Sequence, residues 1–197
     1  MIMFSGGADS TLVLHRISAW SGHTHRVRTL SITYHQIGAG KEQRAARRAI
    51  LAQLRRRGAQ IDAVEVSIVD EPTKSDVPFE EGSNSLQPAL WITQAVLRLR
   101  NNEILYTGHV RGDDFWHARY DAHELFRSEC AAMGKTDCKM EHPLEWSSKA
   151  EVLKELHAVG LLDLTWTCEF PENAQRRGKP CGKCRPCEVR RAALRRY

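Results

Sequence analysis

Short apolar runs alternate with amphipathic stretches along the chain. Apolar residues in runs or at every second position predict strands over 1–4, 27–33, 61–69 and 103–107. Apolar residues at helical spacing predict helices over 11–20, 41–57, 89–100, 121–133 and 147–158. This alternation of strands and helices along the chain favours an α/β fold: a doubly wound parallel sheet of five strands with helices on both faces.

The helix predicted over 41–57 has the clearest pattern. Ala46, Ile50 and Leu54 recur at a spacing of four and mark one apolar face. The arginines fall largely elsewhere and are interpreted as a solvent-exposed face; they are Arg44, Arg47, Arg48 and Arg55. Gly58 is expected to end the helix. Between residues 70 and 88, three prolines among polar residues predict a long loop.

Length and composition favour one globular unit with a small appendage. The 197 residues are 42% hydrophobic and 27% charged, which suits an α/β domain over 1–160 and a C-terminal segment over 161–197 packed on it. No apolar run approaches the length of a membrane span. A glycine-rich motif begins by residue five and leaves no room for a signal peptide. We therefore expect a cytoplasmic protein with reduced thiols.

The formal net charge of +5 is concentrated towards the C-terminus. From Cys168 onwards, nine lysines and arginines stand against three acidic residues. A basic end is one feature of nucleic-acid-binding proteins, but it also suits the negative charge of metal-bound thiolates. A nucleic-acid partner is therefore not predicted.

The most informative motif lies between the first strand and the first helix. It reads Phe4-Ser5-Gly6-Gly7-Ala8-Asp9-Ser10 and is followed by Thr11. Glycines let the main chain approach a ligand closely, and the amide groups at the start of the helix can bind phosphate. The two serines add hydroxyl donors. Asp9 beside phosphates would be repulsive unless it holds Mg²⁺.

This glycine turn differs from the commonest nucleotide motifs. A Walker A loop ends in Gly-Lys-Ser/Thr, and a dinucleotide site reads GxGxxG. The turn instead resembles the SGGxDS signature of the PP-loop ATP pyrophosphatases. That resemblance implies cleavage of ATP between its α- and β-phosphates, adenylation of a substrate oxygen, and displacement of AMP by a nucleophile. A plain Ser/Gly turn is the alternative, and the flanking strand and helix favour the nucleotide site.

Three segments are expected to meet at one rim of the sheet. They follow three different strands and are the glycine turn, Tyr34-His35-Gln36 and Thr107-Gly108-His109. Ligands of doubly wound sheets bind at the carboxyl ends of the strands. The substrate site is therefore expected at this rim.

A cluster of cysteines near the C-terminus predicts a metal site. Cys181, Cys184 and Cys187 follow one another at a spacing of three, and Cys168 lies thirteen positions upstream. Tetrahedral Zn²⁺ takes four such ligands, and a CxxC turn presents two sulfurs to one ion. A redox-active or sulfur-carrying CxxC is the alternative, but it would leave Cys168 without a role. Structural zinc is the preferred interpretation.

Motifs at both ends of the chain resemble those of the 7-cyano-7-deazaguanine synthase family, which belongs to the PP-loop class. The glycine turn, the PLEWSSKAE stretch over 143–151 and the ending from Thr167-Cys168 through CGKCRPC carry the resemblance. Family members have a comparable loop, a "PL…KAE" segment and a "TC…CGxCxxC" ending. Residues 107–121 look like the family's substrate segment.

The resemblance implies a role for each matching residue. Residues that would hold ATP phosphates and Mg²⁺ are Phe4, Ser5, Gly6, Gly7, Asp9, Ser10 and Thr11. Asp9 and Lys149 would be catalytic, with Lys149 as a cation for the leaving phosphates. Asp114, Phe115, Asp121 and His109 are the candidates for binding the substrate. Zn²⁺ would be held by Cys168, Cys181, Cys184 and Cys187.

The family converts a 7-carboxy-7-deazaguanine carboxylate into an amide and then a nitrile, with ATP and ammonia. Three features of this chain differ. Leu86-Gln87-Pro88-Ala89 stands where a Pro-Gly-Arg-Asn run is usual, and the arginine expected soon after the substrate aspartate is absent, the nearest basic residue being His123. The twelve residues between Cys168 and Cys181 are more than the family's zinc site leads us to expect. Activation of the carboxylate is therefore a safer expectation than nitrile formation. The expected partners are a 7-deazaguanine-type small molecule and an amine donor, without a membrane; a protein amine acceptor and a homodimer remain open.

Two other functions are compatible with the sequence. A PP-loop enzyme that inserts sulfur into tRNA would need a catalytic thiol outside the zinc site, for which Cys130 and Cys138 are weak candidates. A zinc-stapled module that binds nucleic acid or a partner, without catalysis, is the second. The intact glycine turn argues against such a module.

Overall fold

The chain folds around a parallel sheet of five strands. The structure, a computed structural model, describes residues 1–20, 25–34, 40–68, 86–111, 119–170 and 178–196. The strands are β1 (Ile2–Met3), β2 (Val27–Tyr34), β3 (Ile61–Ile68), β4 (Ile104–Tyr106) and β5 (Lys139–Glu141). Their order is β3-β2-β1-β4-β5, and each neighbouring pair is parallel. The strand order reverses between β1 and β4, which is where such sheets bind ligands.

Helices cover both faces of the sheet. They are α1 (Ala8–Trp20), α2 (Gly40–Arg56), α3 (Leu86–Val96), α4 (Arg119–Ala132), α5 (Lys149–Ala158) and α6 (Arg185–Leu194). On one face, the buried cluster includes Leu12, Ile50 and Leu153 from α1, α2 and α5. On the other, Val96 of α3 packs in one cluster with Phe126 of α4. The predicted doubly wound α/β fold is confirmed.

Local sequence signals explain where helices begin and end. Gly58 has φ +95°, and its amide donates to the Arg55 carbonyl at 2.9 Å, so α2 ends in a left-handed turn. Ser148 caps α5 in a reciprocal capping box with Glu151. None of the helices in the described ranges is long and apolar enough to cross a membrane.

Several predicted boundaries were wrong. Helix α1 begins at Ala8 rather than at residue 11, so Asp9 lies in its first turn. Helix α3 begins at Leu86, inside the predicted loop 70–88, and ends at Val96. Most of that loop lies outside the described residues. The fifth strand, β5, had no sequence position predicted for it.

The C-terminal segment packs on the same core as the sheet. A short 3₁₀ turn, Leu162–Leu164, follows α5. Leu161, which precedes this turn, belongs to the apolar cluster that contains residues of α1, α2 and α5. Ala193 of α6 belongs to the same cluster. The helical appendage is thus built on α5. The domain boundary at residue 160 stays a prediction.

Candidate active site and metal centre

Hydroxyl groups and a left-handed glycine shape the turn between β1 and α1. Gly6 has φ +84°, and a Cβ there would lie 2.9 Å from Cγ of Arg47. Ser5 Oγ is 3.0 Å from Ser10 Oγ and accepts from the Gly7 amide at 3.2 Å. The Thr11 hydroxyl donates to the Gly7 carbonyl at 2.6 Å. The first amide groups of α1 have no acceptor within the helix and can therefore bind an anion.

A buried guanidinium lies against this turn. Arg47 on α2 is 3% exposed and pairs with Glu65 of β3 at 2.6 Å. It also donates to Thr33 Oγ1 at 2.7 Å and to the Ser5 carbonyl at 3.5 Å. Burial lowers the pKa of Arg47, and the hydrogen bond that Arg47 donates to Glu65 opposes that shift. The prediction that Arg47 belongs to a solvent-exposed face was wrong.

Residues after β4 pack against the start of α1. A Cβ on Gly108 would lie 2.7 Å from the Ser10 amide nitrogen and 2.9 Å from the Asp9 carbonyl carbon. Only glycine permits this approach, because the obstructing atoms are backbone. Two of the three rim segments therefore meet. Tyr34 ends β2, while His35 and Gln36 lie outside the described residues.

The two predicted catalytic residues form an ion pair. Lys149 Nζ contacts Asp9 Oδ2, although the residues are 140 positions apart, and each side chain is 20% exposed. The other carboxylate oxygen, Oδ1, is buried and has no hydrogen-bond partner among the described residues. Mg²⁺ is bound in proteins by carboxylate oxygens, and Asp9 Oδ1 is an oxygen of this kind. The site thus fits a magnesium ion bound at Oδ1, beside the turn.

The candidates for substrate binding are placed less completely. His109 is partly buried, and its Nδ1 lies 3.0 Å from Thr107 Oγ1. Burial, followed by the neighbouring His142 and Lys149, lowers the pKa of His109 to about 3. Asp121 is exposed in the first turn of α4. Asp114 and Phe115 lie outside the described residues, and the roles of all four stay predictions.

The four cysteines converge on one point. Their sulfur atoms all lie within 4.8 Å of one another, and those of Cys168 and Cys184 are 4.0 Å apart. Sulfurs bound to one zinc ion at about 2.3 Å stand roughly 3.8 Å apart. Cys181 and Cys184 come from one turn, and Cys187 from the first turn of α6. This arrangement can hold a tetrahedral metal ion.

Backbone amides already point at two of the sulfurs. Cys168 Sγ accepts from the Cys181 amide at 3.2 Å, and Cys181 Sγ accepts from the Cys184 amide at 3.3 Å. Amide donors from Lys183 and Cys184 lower the pKa of Cys181 to about 7. Burial instead raises the pKa of Cys187 to about 12. A bound cation would be needed to deprotonate the whole set.

The cysteine cluster is linked to the glycine turn through one residue. The Trp166 amide donates to the Gly6 carbonyl at 3.0 Å. Its indole Nε1 donates to the Cys168 carbonyl at 2.7 Å. A change at the cluster can therefore reach the turn through two hydrogen bonds.

Sequence reasoning missed Arg47 and Trp166. A signal existed for Arg47, because it lies four positions before the buried Leu51 and therefore on the same face of α2. Trp166 carried no such signal, since its contact with Gly6 depends on how distant segments pack.

The comparisons with known proteins find similarity to the family that the sequence motifs resemble. Residues 119–197 match the family model of the queuosine biosynthesis protein QueC. A 7-cyano-7-deazaguanine synthase from Alteromonas mediterranea is 27% identical over 216 positions, covering 99% of this chain and 93% of that relative.

Among solved structures, the chain is similar to the U34-tRNA thiolase NcsA from Methanococcus maripaludis, which was solved with its 4Fe-4S cluster. Sequence identity is 14%, the alignment covers 98% of this chain and 70% of that one, and the TM-score is 0.44. A likeness this loose has no bearing on function. The family match over 119–197 and the similarity along the whole chain support the resemblance to QueC-like enzymes that the sequence motifs indicate.

Proposed function

We propose that the chain is an AMP-forming ligase that adenylates a 7-deazaguanine carboxylate and transfers the acyl group to ammonia or to another amine. The observation that carries this proposal is the Asp9–Lys149 pair beside the glycine turn. A carboxylate and an ammonium group that are 140 positions apart in the sequence meet beside the glycine turn. Adenylation needs this combination of a metal ligand and a cation beside phosphates.

In the first step, a substrate carboxylate oxygen bonds to the α-phosphorus of ATP, and pyrophosphate leaves. The turn amides and the hydroxyls of Ser5 and Ser10 would bind the leaving phosphates. Asp9 Oδ1 would hold Mg²⁺, which supplies positive charge to them. Lys149 would add a second cation. In the next step, the amine nitrogen bonds to the carbonyl carbon, AMP leaves, and the nitrogen loses a proton.

We also propose that the four cysteines bind structural Zn²⁺. A zinc ion that is coordinated by four protein ligands has no open coordination position for catalysis. Cations nearby would offset its thiolates: Arg190 donates to Thr165 Oγ1 at 2.7 Å and to Thr167 Oγ1 at 3.0 Å, and Arg191 donates to the Gly182 carbonyl. The proposal includes a reducing compartment, since the ligands must stay thiols.

The positions of the remaining thiols do not favour tRNA sulfur insertion. Cys138 directly precedes β5, at the amino end of the strand, whereas the glycine turn follows the carboxyl end of β1. Burial raises the pKa of Cys130 to about 11, so the thiol is protonated at neutral pH. Neither thiol has the character of a nucleophile at the phosphate site.

Product analysis tests this proposal. The protein is incubated with ATP, Mg²⁺, 7-carboxy-7-deazaguanine and ammonium, and the nucleotides are separated by chromatography. We expect AMP and pyrophosphate, with AMP dependent on the deazaguanine acid. Asp9→Asn should abolish AMP formation, while the control Asp163→Asn, at an exposed aspartate of the 3₁₀ turn, should keep it. ADP as the main product would contradict the PP-loop reaction, and AMP formation independent of the acid would contradict the substrate.

The acceptor is tested in the same assay. If ammonium gives no amide while AMP still forms with another small amine or a protein amine, the acyl group is transferred to that amine and not to ammonia. Analytical ultracentrifugation of the same preparation distinguishes a monomer from a homodimer.

A further inference from the structure

Three histidines and a threonine form a continuous hydrogen-bonded chain at the rim. Thr107 Oγ1 lies 3.0 Å from His109 Nδ1 and 2.5 Å from His142 Nδ1. His142 Nε2 lies 3.0 Å from His123 Nε2. The rings of His123 and His142 meet edge to face, with centroids 5.0 Å apart. Below, "the histidine chain" means His109, Thr107, His142 and His123 in this order.

The histidine chain begins beside the phosphate site and runs away from it. His109 directly follows Gly108, whose Cα packs on the first turn of α1. Lys149 is close enough to His109 to influence its protonation. His142 follows β5, and His123 lies on α4. Three separate elements thus contribute to one line of groups.

We propose that the histidine chain is a proton relay, which takes the proton released by the attacking amine at His109 and delivers it to His123. The inference rests on the proposed function, because only the transfer to an amine releases this proton. Adenylation of a carboxylate requires no base. The relay therefore serves the second step and leaves the first unaffected.

The proton balance closes without a buried cation. Before transfer, His109 carries a proton on Nδ1, which it donates to Thr107, and its Nε2 holds a lone pair. The amine proton moves to this Nε2. The Nδ1 proton then passes to Thr107, the hydroxyl proton passes to His142 Nδ1, and the His142 Nε2 proton passes to His123 Nε2. His123 releases its Nδ1 proton to water. After the product has left, the reverse shift restores the chain: the His109 Nε2 proton passes to water that enters the site, and His123 Nδ1 regains a proton from water.

The surroundings keep the inner rings neutral, as such a relay requires. Burial, followed by the neighbouring His123 and Arg119, lowers the pKa of His142 to about 4. The pKa of His109 is lowered to about 3. His123 is near Arg127 and Glu145, and burial lowers its pKa as well. Neutral imidazoles each offer one donor and one acceptor, so they can exchange a proton along the line.

Two variants interrupt the histidine chain at different points. His142→Asn can place its amide oxygen near the position of Nδ1, where it accepts from the Thr107 hydroxyl, but it cannot pass a proton on. His123→Gln removes the outer ring. The control is His157→Gln, an exposed histidine in the last turn of α5. Each protein is assayed for ATP–pyrophosphate exchange with the deazaguanine acid and for amide formation from ammonium.

We expect exchange within about twofold of wild type and amide formation lowered about 10²-fold in both variants, the usual scale for losing general-base catalysis. Hydroxylamine, which is largely unprotonated at neutral pH and whose adduct readily loses its proton to water, should restore turnover to near the wild-type rate.

Three results in the variants, and one in wild type, would overturn the relay. Amide formation at the wild-type rate in both variants would show that the histidine chain carries no needed proton. An equal fall in exchange and amide formation would assign these residues a structural role. Reduced amide formation without recovery in hydroxylamine would exclude proton removal as the affected step. If wild type itself shows no exchange, the proposed adenylation fails, and the relay fails with it.

Discussion

The glycine turn and the cysteine cluster are both candidate binding sites, but they are held in different ways. Around the turn, hydroxyl groups, the Arg47 guanidinium and the Gly108 backbone fix the main chain from several sides. Around the cluster, a few N–H···S bonds join a short turn to Cys168. The first site is organised by protein contacts alone, whereas the second is the site at which we propose a metal ion.

The two sites are therefore expected to respond differently when one of their groups is removed. A preorganised phosphate site loses catalysis when one charged group is removed, yet the fold persists. A site built around a metal loses local folding when the metal is removed. Trp166 joins the two, since it bonds to Gly6 and to Cys168. The predictions below test how far each region depends on the other.

The largest effect is expected at the Asp9–Lys149 pair. Lys149→Met removes the cation beside the phosphates and should lower AMP formation by about 10²–10³-fold, the scale for losing a preorganised electrostatic group. Lys154→Met on the same helix is the control, because Lys154 is exposed. Steady-state rates of AMP formation measure both. Equal rates in the two variants would remove Lys149 from the proposed active site.

The second largest effect is expected from removal of the metal, and the loss of stability should be confined to the C-terminal segment. Chelation, or Cys184→Ser, is expected to lower the stability of residues 161–196 by an amount on the order of several kcal/mol. Amide hydrogen exchange should rise there, while the amides of β2 stay protected. Cys138→Ser is the matched control, at a thiol outside the cluster. A metal analysis that finds no zinc, or unchanged zinc content in Cys184→Ser, would contradict the proposed site.

Replacing the buried arginine tests whether the turn depends on protein contacts alone. Arg47→Met should destabilise the protein by about 2 kcal/mol, less than a fully buried pair, because Glu65 is 41% exposed and can regain water. It should also weaken ATP binding, since Gly6 loses its support. Arg48→Met, at the exposed neighbour, should change neither property. Chemical denaturation and calorimetric titration with ATP measure the two effects.

The smallest effect concerns the ion pair that joins α1 to α5. Arg16 Nε donates to Glu155 Oε1 at 2.8 Å, and this hydrogen bond holds the pKa of Glu155 below its usual range. Its stabilisation is therefore present above the unfolded pKa of a glutamate and lost as the pH falls through the lower, folded value. Since both side chains are more than a third exposed, the contribution is at most about 1 kcal/mol.

Denaturation curves at neutral and acidic pH test this with Glu155→Gln. The variant should be slightly less stable than wild type at neutral pH and equal to it at the lowest pH. A difference that grew as the pH fell would contradict the assigned sign.

Much of the fold could be predicted because its signals are local. Apolar spacing in α2 and alternation in β3 depend on neighbours along the chain. Strand β5 escaped prediction because it has only three residues, of which only Met140 is buried. Pairing with β4 makes it a strand, and pairing cannot be read from three residues.

The candidate site divides in the same way. The glycine turn and the cysteines have fixed spacings, so their positions could be predicted. Arg47 was misjudged because a charged residue is rarely buried without a partner, and its partner Glu65 belongs to a different element. The contacts between His123 and His142 likewise join α4 to the end of β5 and have no sequence spacing to reveal them.

The bond from Trp166 to Gly6 also has a consequence for synthesis of the protein. Ribosomes release the glycine turn early and the segment that carries Trp166 late. The strands of the sheet can pair as they emerge, but the turn lacks this contact until residue 166 has left the exit tunnel. A nascent chain from which β1 to β5 have emerged, but not residue 166, would thus contain a paired sheet and a phosphate turn that is not yet braced, so its full affinity for ATP is expected only after residue 166 has emerged.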